Sequence, residues 1–336
     1  MIRVGVIGYG YWGPNILRNF AMHDDVQVVA LCDLSEAALR RAKKIYPALR
    51  VTQRPEDITQ ATDIDVVAVI TPVSSHYPLA LDALRNGKHV FVEKPFTASS
   101  AQAQTLIDLA EAKGLTIMVD HTFLFTSAVK TIRNLIKAGD LGKLLYYHST
   151  RINLGLFQHD VNVVWDLAPH DLSIMDYLLP CGPTSVSAVG MDHYNRGLED
   201  QAYVTVCFED RLLAHFNFNW ISPVKVRETL IGGDKKMLVW NDVVADEKLK
   251  VYDKGVNLCE QDVEGRHHLM VQYRVGDMYS PQLDTTEALK LEIDYFVQCL
   301  QQRKTPFNDG RAGLRIVRML EAADQSIREN GRPIVL

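Results

Sequence analysis

Arg3-Val4-Gly5-Val6-Ile7-Gly8-Tyr9-Gly10-Tyr11-Trp12-Gly13-Pro14-Asn15 is the stretch on which the fold turns. Arg3 to Ile7 form a short strand of buried character. A G-x-G-x-x-G turn follows, and a helical stretch opens at about Pro14-Asn15-Ile16-Leu17. Strand, glycine turn and helix in that order make this spacing a dinucleotide-binding fingerprint. Gly8 permits the tight turn, Gly10 lets a pyrophosphate approach the backbone, and Gly13 lets helix and strand pack closely. The helix N-terminus offers unpaired N–H groups and the positive end of its dipole to the phosphates. Tyr9 and Trp12, within the turn, count with the glycines as cofactor contacts. A glycine-rich turn without a ligand is the alternative for the motif taken alone.

The next apolar run, Val26-Gln27-Val28-Val29-Ala30-Leu31-Cys32, ends on Asp33, twenty residues past Gly13. An acidic side chain there can accept hydrogen bonds from ribose hydroxyls and would repel a 2′-phosphate, which predicts NAD over NADP. Leu34 follows, so no arginine adjoins Asp33 to grip a phosphate. Arg40 and Arg41 read as a solvated helix face. Asp33 could also cap the helix from Ser35.

The chain has 336 residues, which points to two domains, and 47% hydrophobic with 23% charged residues is ordinary for a globular protein. A net charge of −5 without a basic run argues against nucleic acid or an anionic membrane as partner. Cys32, Cys181, Cys207, Cys259 and Cys299 are scattered and odd in number, which suits a reducing cytoplasm better than a disulfide framework. Met1 leads directly into a strand, so no signal peptide is expected, and no apolar stretch reaches transmembrane length.

From residue 1 to 122 strands and helices alternate, which implies a parallel sheet covered on both faces. Strands are expected at 66–70, 89–92 and 115–119 and helices at 36–46, 76–86 and 99–113. Gly8, Asp33, Thr71, Glu93-Lys94 and His121 then all stand at carboxyl ends of strands, where such sheets bind ligands. Residues 123–336 change character. Helices are expected at 127–138 and 166–179, with strands at 144–152, 184–191, 201–209, 211–220, 226–231 and 235–240. Glu209-Asp210 reads as a hairpin turn. Short connections between successive strands indicate an α+β second domain with a mainly antiparallel sheet. Residues 241–282 are polar and weakly patterned and receive no assignment, and helices are expected at 284–302 and 311–329. The fold class is therefore α/β: a Rossmann domain over 1–122, then an α+β domain over 123–336 for substrate binding and oligomerisation, whose C-terminal helix can pack back on the first domain.

Two polar clusters carry the chemistry. Glu93-Lys94-Pro95 follows a buried strand of the nucleotide domain, where it can face a nicotinamide. Trp165-Asp166-Leu167-Ala168-Pro169-His170-Asp171 places Asp166 and His170 four apart, on one face of a helix. The glycine turn, Thr71-Pro72 with His76, Glu93-Lys94-Pro95, and Asp166 with His170 together resemble the Gfo/Idh/MocA family of sugar oxidoreductases. The resemblance spans essentially the whole chain in the right order. It implies an active site between the domains, Lys94 and His170 as the catalytic pair, and Asp166 as supporting carboxylate. It also places Thr71, Pro72, His76, Glu93, Lys94 and Trp165 with the cofactor. Gly-Tyr-Gly-Tyr-Trp-Gly-Pro-Asn at 8–15 and Asp120-His121-Thr122-Phe123-Leu124-Phe125 further resemble a subgroup that oxidises C3 of UDP-N-acetylglucosamine or its uronate.

Oxidising a secondary alcohol needs an acceptor for the hydroxyl proton as hydride leaves carbon. An imidazole such as His170 accepts a proton near neutral pH. A lysine ammonium, with an ordinary pKa of about 10.4, suits stabilisation of alkoxide character. Asp166 then orients His170 or anchors substrate. The reverse assignment, Lys94 as base and His170 as substrate ligand, stays open. Arg151, Asn153 and His121 are further candidates for substrate contact, and Lys225 and Arg227 for a nucleotide's phosphates. Tyr146, Tyr147 and Trp220 read as sheet packing. The His and Cys residues show no ligand spacing, so no metal is expected. A free sugar, inositol or keto-sugar is the alternative substrate, and a non-catalytic NAD-binding regulator the alternative function. A homodimer or homotetramer is expected, since the second half offers few helices to cover a sheet twice.

Overall fold

The computed structural model describes residues 1–155, 157–263 and 266–336, with the backbone alone described at 210, 257–263 and 266–270. Its first elements are β1 (Ile2–Ile7), α1 (Gly13–Ala21), β2 (Val26–Cys32), α2 (Glu36–Ile45), β3 (Arg50–Thr52), α3 (Glu56–Thr59), β4 (Val66–Val69), α4 (Val73–Arg85), β5 (His89–Glu93), α5 (Ser100–Lys113) and β6 (Ile117–Asp120). The six strands form one parallel sheet in the order β3-β2-β1-β4-β5-β6. All four residues of β4 and of β6 are buried. This is why residues 66–69 and 117–119 read as unbroken apolar runs: a parallel strand covered on both faces has no polar side. Ile7 lies level with Cys32 and Val69, and Val69 with Val92, so the carboxyl ends finish together. Strand order reverses between β1 and β4, the place where such sheets receive a nucleotide. Helix α5 stops at Gly114, whose left-handed φ of 64° the expected C-terminal glycine supplies.

A 3₁₀ turn at Thr122–Phe125 precedes α6 (Ser127–Lys137), β7 (Leu144–Leu154), α7 (Val163–Leu178), β8 (Pro183–Met191), β9 (Gln201–Phe208), β10 (Leu213–Asn219), β11 (Ile221–Gly233), β12 (Met237–Asn241), β13 (Leu249–Val263) and β14 (Arg266–Tyr279). Helices α8 (Ala288–Gln302) and α9 (Gly310–Arg328) and the short β15 (Ile334–Val335) end the chain. Nine strands form the second sheet, β14-β13-β12-β11-β7-β10-β9-β8-β15. It is antiparallel except where β7 runs parallel to β10. Ala214, Phe216 and Phe218 of β10 are fully buried on the face that α7 covers. Leu213 on the opposite face is 41% exposed, the period-two alternation that the sequence shows.

Two segments differ from the sequence reading. Residues 50–52 form an edge strand, and most of 241–282 forms the paired strands β13 and β14. Apolar side chains there meet solvent: Tyr273 is 76% and Val275 75% exposed. Leu249 and Val251 at the start of β13 are buried, but the described side chains of β14 are exposed or half-buried, so little hydrophobic period is left to read.

The chain divides into two compact units, Met1–Phe125 with Thr286–Glu321, and Thr126–Thr285 with Ala322–Leu336. The stretch taken as 123–336 from the sequence thus gives Thr286–Glu321 to the first unit. Phe296 of α8 packs there against Phe91 and Phe20, ring centroids 5.5 and 6.4 Å apart. Cys32, Cys181, Cys207 and Cys299 are free thiols. Among the described residues no helix is long and apolar enough to cross a membrane.

Candidate active site

The glycine turn is shaped by contacts that admit no side chain. Gly8 has φ 106°, and a Cβ on it would stand 2.2 Å from the Ile70 carbonyl oxygen. A Cβ on Gly13 would stand 2.5 Å from the Gly8 oxygen. Gly10 differs: among the described residues no atom lies within 4 Å of its hypothetical Cβ. The space over Gly10 is what close approach of a pyrophosphate requires. Trp12 at the N-cap of α1 provides no capping side chain, Pro14 has no N–H, and the Asn15 N–H already meets the Trp12 carbonyl at 2.9 Å, so in the first turn the Gly13 N–H is the one that can meet an anion. Tyr11 beside it is 82% exposed, whereas the Tyr9 ring is buried. These residues fit a dinucleotide. Gly8→Ala should therefore destabilise the fold by at least about 2 kcal/mol, through positive φ and overlap together. Gly10→Ala should melt like wild type and still weaken NAD binding at least about tenfold, as calorimetry would show.

Asp33 works twice. Its Oδ2 accepts the Tyr9 N–H at 2.6 Å and its Oδ1 the Ser35 N–H at 2.7 Å, tying the glycine turn to the end of β2. The cap of α2 is Ser35, whose hydroxyl accepts from the Ala38 N–H, and not Asp33. With the cap supplied elsewhere, the carboxylate keeps lone pairs for a ribose.

Beyond β4 and β5 the chain is cross-tied. Ser75 donates to the Thr71 hydroxyl at 2.6 Å and reaches the Pro72 carbonyl at 2.8 Å. His76, expected to face the cofactor, is fully buried instead. Its Nδ1 lies 2.8 Å from the Pro95 oxygen and its Nε2 2.7 Å from the Thr71 oxygen. Burial pulls its pKa down, against backbone hydrogen bonds at Thr71, Pro95 and Phe96 that favour the proton. With both nitrogens occupied, His76 joins the turn after β4 to the cis Lys94-Pro95 bond and so locates Lys94. Glu93 is buried and Lys94 half-buried. His121, at the end of β6, is 2% exposed, and neither ring nitrogen has a hydrogen-bond partner among the described residues. Burial, then the nearby Lys94 charge, push its pKa down to about 3.

In the second unit α7 begins at Asn162, whose side chain accepts from the Trp165 N–H at 3.1 Å. From Val163 to Met175 every residue is buried except Asp166, Leu167 and His170. An acid and an imidazole one turn apart are thus the accessible polar groups of that stretch. Trp220, read as packing, is buried, and its indole N–H donates to Asp166 Oδ2 at 3.0 Å. Fifty-four residues separate the two, so no local pattern links them. Trp165, expected beside the cofactor, instead turns its indole N–H to Asp324 Oδ2 at 2.7 Å, in a buried cluster with Asn162. Burial raises the Asp324 pKa.

Arg151, expected near substrate, is 4% exposed and bonds the equally buried Asp171 through Nε. Ser149 donates to the other oxygen of Asp171 at 2.6 Å. Arg227, in register with Arg151, is half-buried and lies 3.6 Å from Asp242. Burial, then the Arg151 charge, lower its pKa. Asn153, near the end of β7, is half-buried, and Lys225 is exposed where the β7–β11 register slips.

Residues 2–121 match the oxidoreductase family Gfo/Idh/MocA, described as an NAD-binding Rossmann fold, and residues 129–239 match the C-terminal domain of that family. An uncharacterised oxidoreductase of Escherichia coli is 32% identical over 197 residues, and the match spans little more than half of either protein (54% of this chain, 56% of that one). The scyllo-inositol 2-dehydrogenase (NAD⁺) of Bacillus subtilis is 25% identical over all of this chain and 96% of its own length. The UDP-N-acetylglucosamine 3-dehydrogenase of Acidithiobacillus ferrooxidans is 26% identical over 94% of each chain. A solved structure of an enzyme with that name and source aligns at TM-score 0.81 over 98% of each chain, with 22% identity. The chain therefore belongs to the Gfo/Idh/MocA family of oxidoreductases and carries its NAD-binding Rossmann domain.

Proposed function

We propose that this oxidoreductase acts on a secondary hydroxyl, at C3, of a nucleotide-linked sugar such as UDP-N-acetylglucosamine or its uronate. The observation that carries the reading is the accessible turn of α7, where Asp166 and His170 stand together on an otherwise buried stretch. Bound NAD supplies the hydride acceptor, C4 of its nicotinamide. His170 accepts the hydroxyl proton, and Lys94 donates a hydrogen bond to the same oxygen as it gains alkoxide character. Asp166, one oxygen of which is fixed by Trp220, orients His170 or anchors a neighbouring hydroxyl. His121 and Asn153 complete the substrate contacts, and the exposed Lys225 answers the diphosphate.

The full-length likeness to a scyllo-inositol dehydrogenase supports a second reading, a free polyol or sugar as substrate. UDP-sugars, free sugars and inositols, assayed with NAD by NADH absorbance, separate the two. A UDP-sugar should exceed its free sugar at least about tenfold in kcat/KM. The converse ranking selects the second reading, and no turnover with any of them refutes both.

Asp33 sets the expected cofactor preference: kcat/KM for NAD should exceed that for NADP at least about tenfold, since a 2′-phosphate would meet a carboxylate. Equal values would sink the argument. We also propose a homodimer or homotetramer built on the second sheet, whose face opposite α7 leaves Leu145, Tyr203 and Leu213 accessible. Light scattering at micromolar concentration should give at least twice the 37.9 kDa of one chain; a single-chain mass refutes it.

A further inference from the structure

At the end of β6 two carboxyl groups share one hydroxyl. Thr122 Oγ1 lies 2.5 Å from Asp120 Oδ1 and 2.9 Å from Glu292 Oε2. A hydroxyl has one hydrogen, and an ionised carboxylate only accepts. Both contacts are satisfied when one carboxyl carries a proton. Glu292 is fully buried and Asp120 5% exposed, so two ionised groups side by side would be costly.

The remaining bonds say which acid holds the proton. Glu292 Oε1 accepts the His121 backbone N–H at 3.1 Å and the Asn308 side-chain N–H at 3.2 Å, so it is unprotonated. Asp120 Oδ1 accepts the Thr122 N–H at 3.2 Å as well. A proton on Glu292 Oε2 fits these contacts: Glu292 donates towards Asp120 and Thr122, and Thr122 donates to Asp120. The negative charge then rests on Asp120. Burial raises both carboxyls, Glu292 well above its usual value with the Asp120 charge as next cause. The Lys94 charge pulls Asp120 the other way. Asp120 is the register partner of Glu93, the residue before Lys94. The titratable groups around the cluster are Glu93 and Lys94 at the end of β5, His121 beside Asp120, and Glu292 on α8.

We propose that Asp120, Thr122 and Glu292 form a buried site holding one proton and one negative charge, with the proton on Glu292 and Asp120 as the counter-charge that orients Lys94. The second part rests on reading Lys94 as a reacting group. Asp120, Thr122 and Glu292 are positioning residues: they act through Lys94 and through the backbone of His121.

Two readouts test this without turnover. In the infrared spectrum at pH 7, Glu292→Gln should remove one protonated-carboxyl band, because Gln reproduces the neutral acid's donor and acceptor. A band of unchanged size places the proton elsewhere and overturns the assignment. Reductive methylation of the full chain at pH 7, read at Lys94 by mass spectrometry, reports how firmly its ammonium is held. Asp120→Asn should raise the Lys94 methylation rate at least about threefold, and Glu292→Gln should leave it unchanged. An unchanged rate in Asp120→Asn overturns the counter-charge. If Asp120→Asn does not fold, Thr122→Val should raise the rate the same way and Thr122→Ser should restore it. A Thr122→Val rate equal to wild type is the refuting outcome. An active Lys94→Ala enzyme would overturn the catalytic reading alone, since neither readout depends on catalysis.

Discussion

Lys94→Ala and His170→Ala should each lower kcat at least about a hundredfold while changing NAD affinity little. A proton acceptor and a donor to a developing alkoxide each contribute on this scale, because both act where charge appears in the transition state. Neither residue belongs to the turn of Gly8, Gly10 and Gly13 that shapes the nucleotide cradle, so binding of NAD is the internal control. The two losses should not add, since groups acting on one proton transfer fail together. Lys94→Arg should recover little, because a planar guanidinium does not replace a point-charge ammonium. Either alanine variant turning over like wild type would show the pair to be misassigned.

Arg151→Ala should produce the largest loss of stability, about 3–5 kcal/mol, by leaving Asp171 charged and buried without its cation. Both side chains are nearly inaccessible, at 4% and 3%, and Ser149 alone cannot balance a carboxylate. Denaturant unfolding monitored by tryptophan fluorescence measures it. The double variant Arg151→Met with Asp171→Leu should be more stable than Arg151→Ala, since apolar replacements remove both desolvation penalties. Arg151→Ala unfolding within about 1 kcal/mol of wild type would show that the pair is not holding the sheet to α7.

The parallel half of the fold is legible where its strands are buried on both faces, so the apolar runs at 66–69 and 117–119 announce themselves by composition alone. The antiparallel core strands are legible by alternation, as β10 shows. What escapes is structure with little hydrophobic signature: β3 is three residues long, and the described side chains of β14 are exposed or half-buried. The site divides in the same way. Asp166 and His170 are visible because four residues make one helical turn. His76, Trp165 and Arg151 are polar or aromatic residues at plausible positions, yet each turns inward to a partner that the sequence does not indicate. Sequence position says that a side chain stands at a strand end or helix start, and not which way it points. Trp220 with Asp166, and Glu292 with Asp120, lie 54 and about 170 residues apart, beyond any local period.

The first unit is interrupted: it is begun by Met1–Phe125 and completed by Thr286–Glu321. On a ribosome its opening strands emerge long before α8 does. Until then Phe20 and Phe91 lack Phe296, and Asp120 and Thr122 lack Glu292. The nucleotide-binding half therefore cannot finish folding as an independent N-terminal domain during synthesis, although vectorial synthesis ordinarily favours the N-terminal domain first. The second unit is interrupted as well: Thr126–Thr285 waits for Ala322–Leu336, which brings β15 to β8 and Asp324 to Trp165, so neither unit is complete until the end of the chain emerges. A gene fragment cut after the last parallel strand would carry the entire glycine fingerprint and still lack the helix that closes its core.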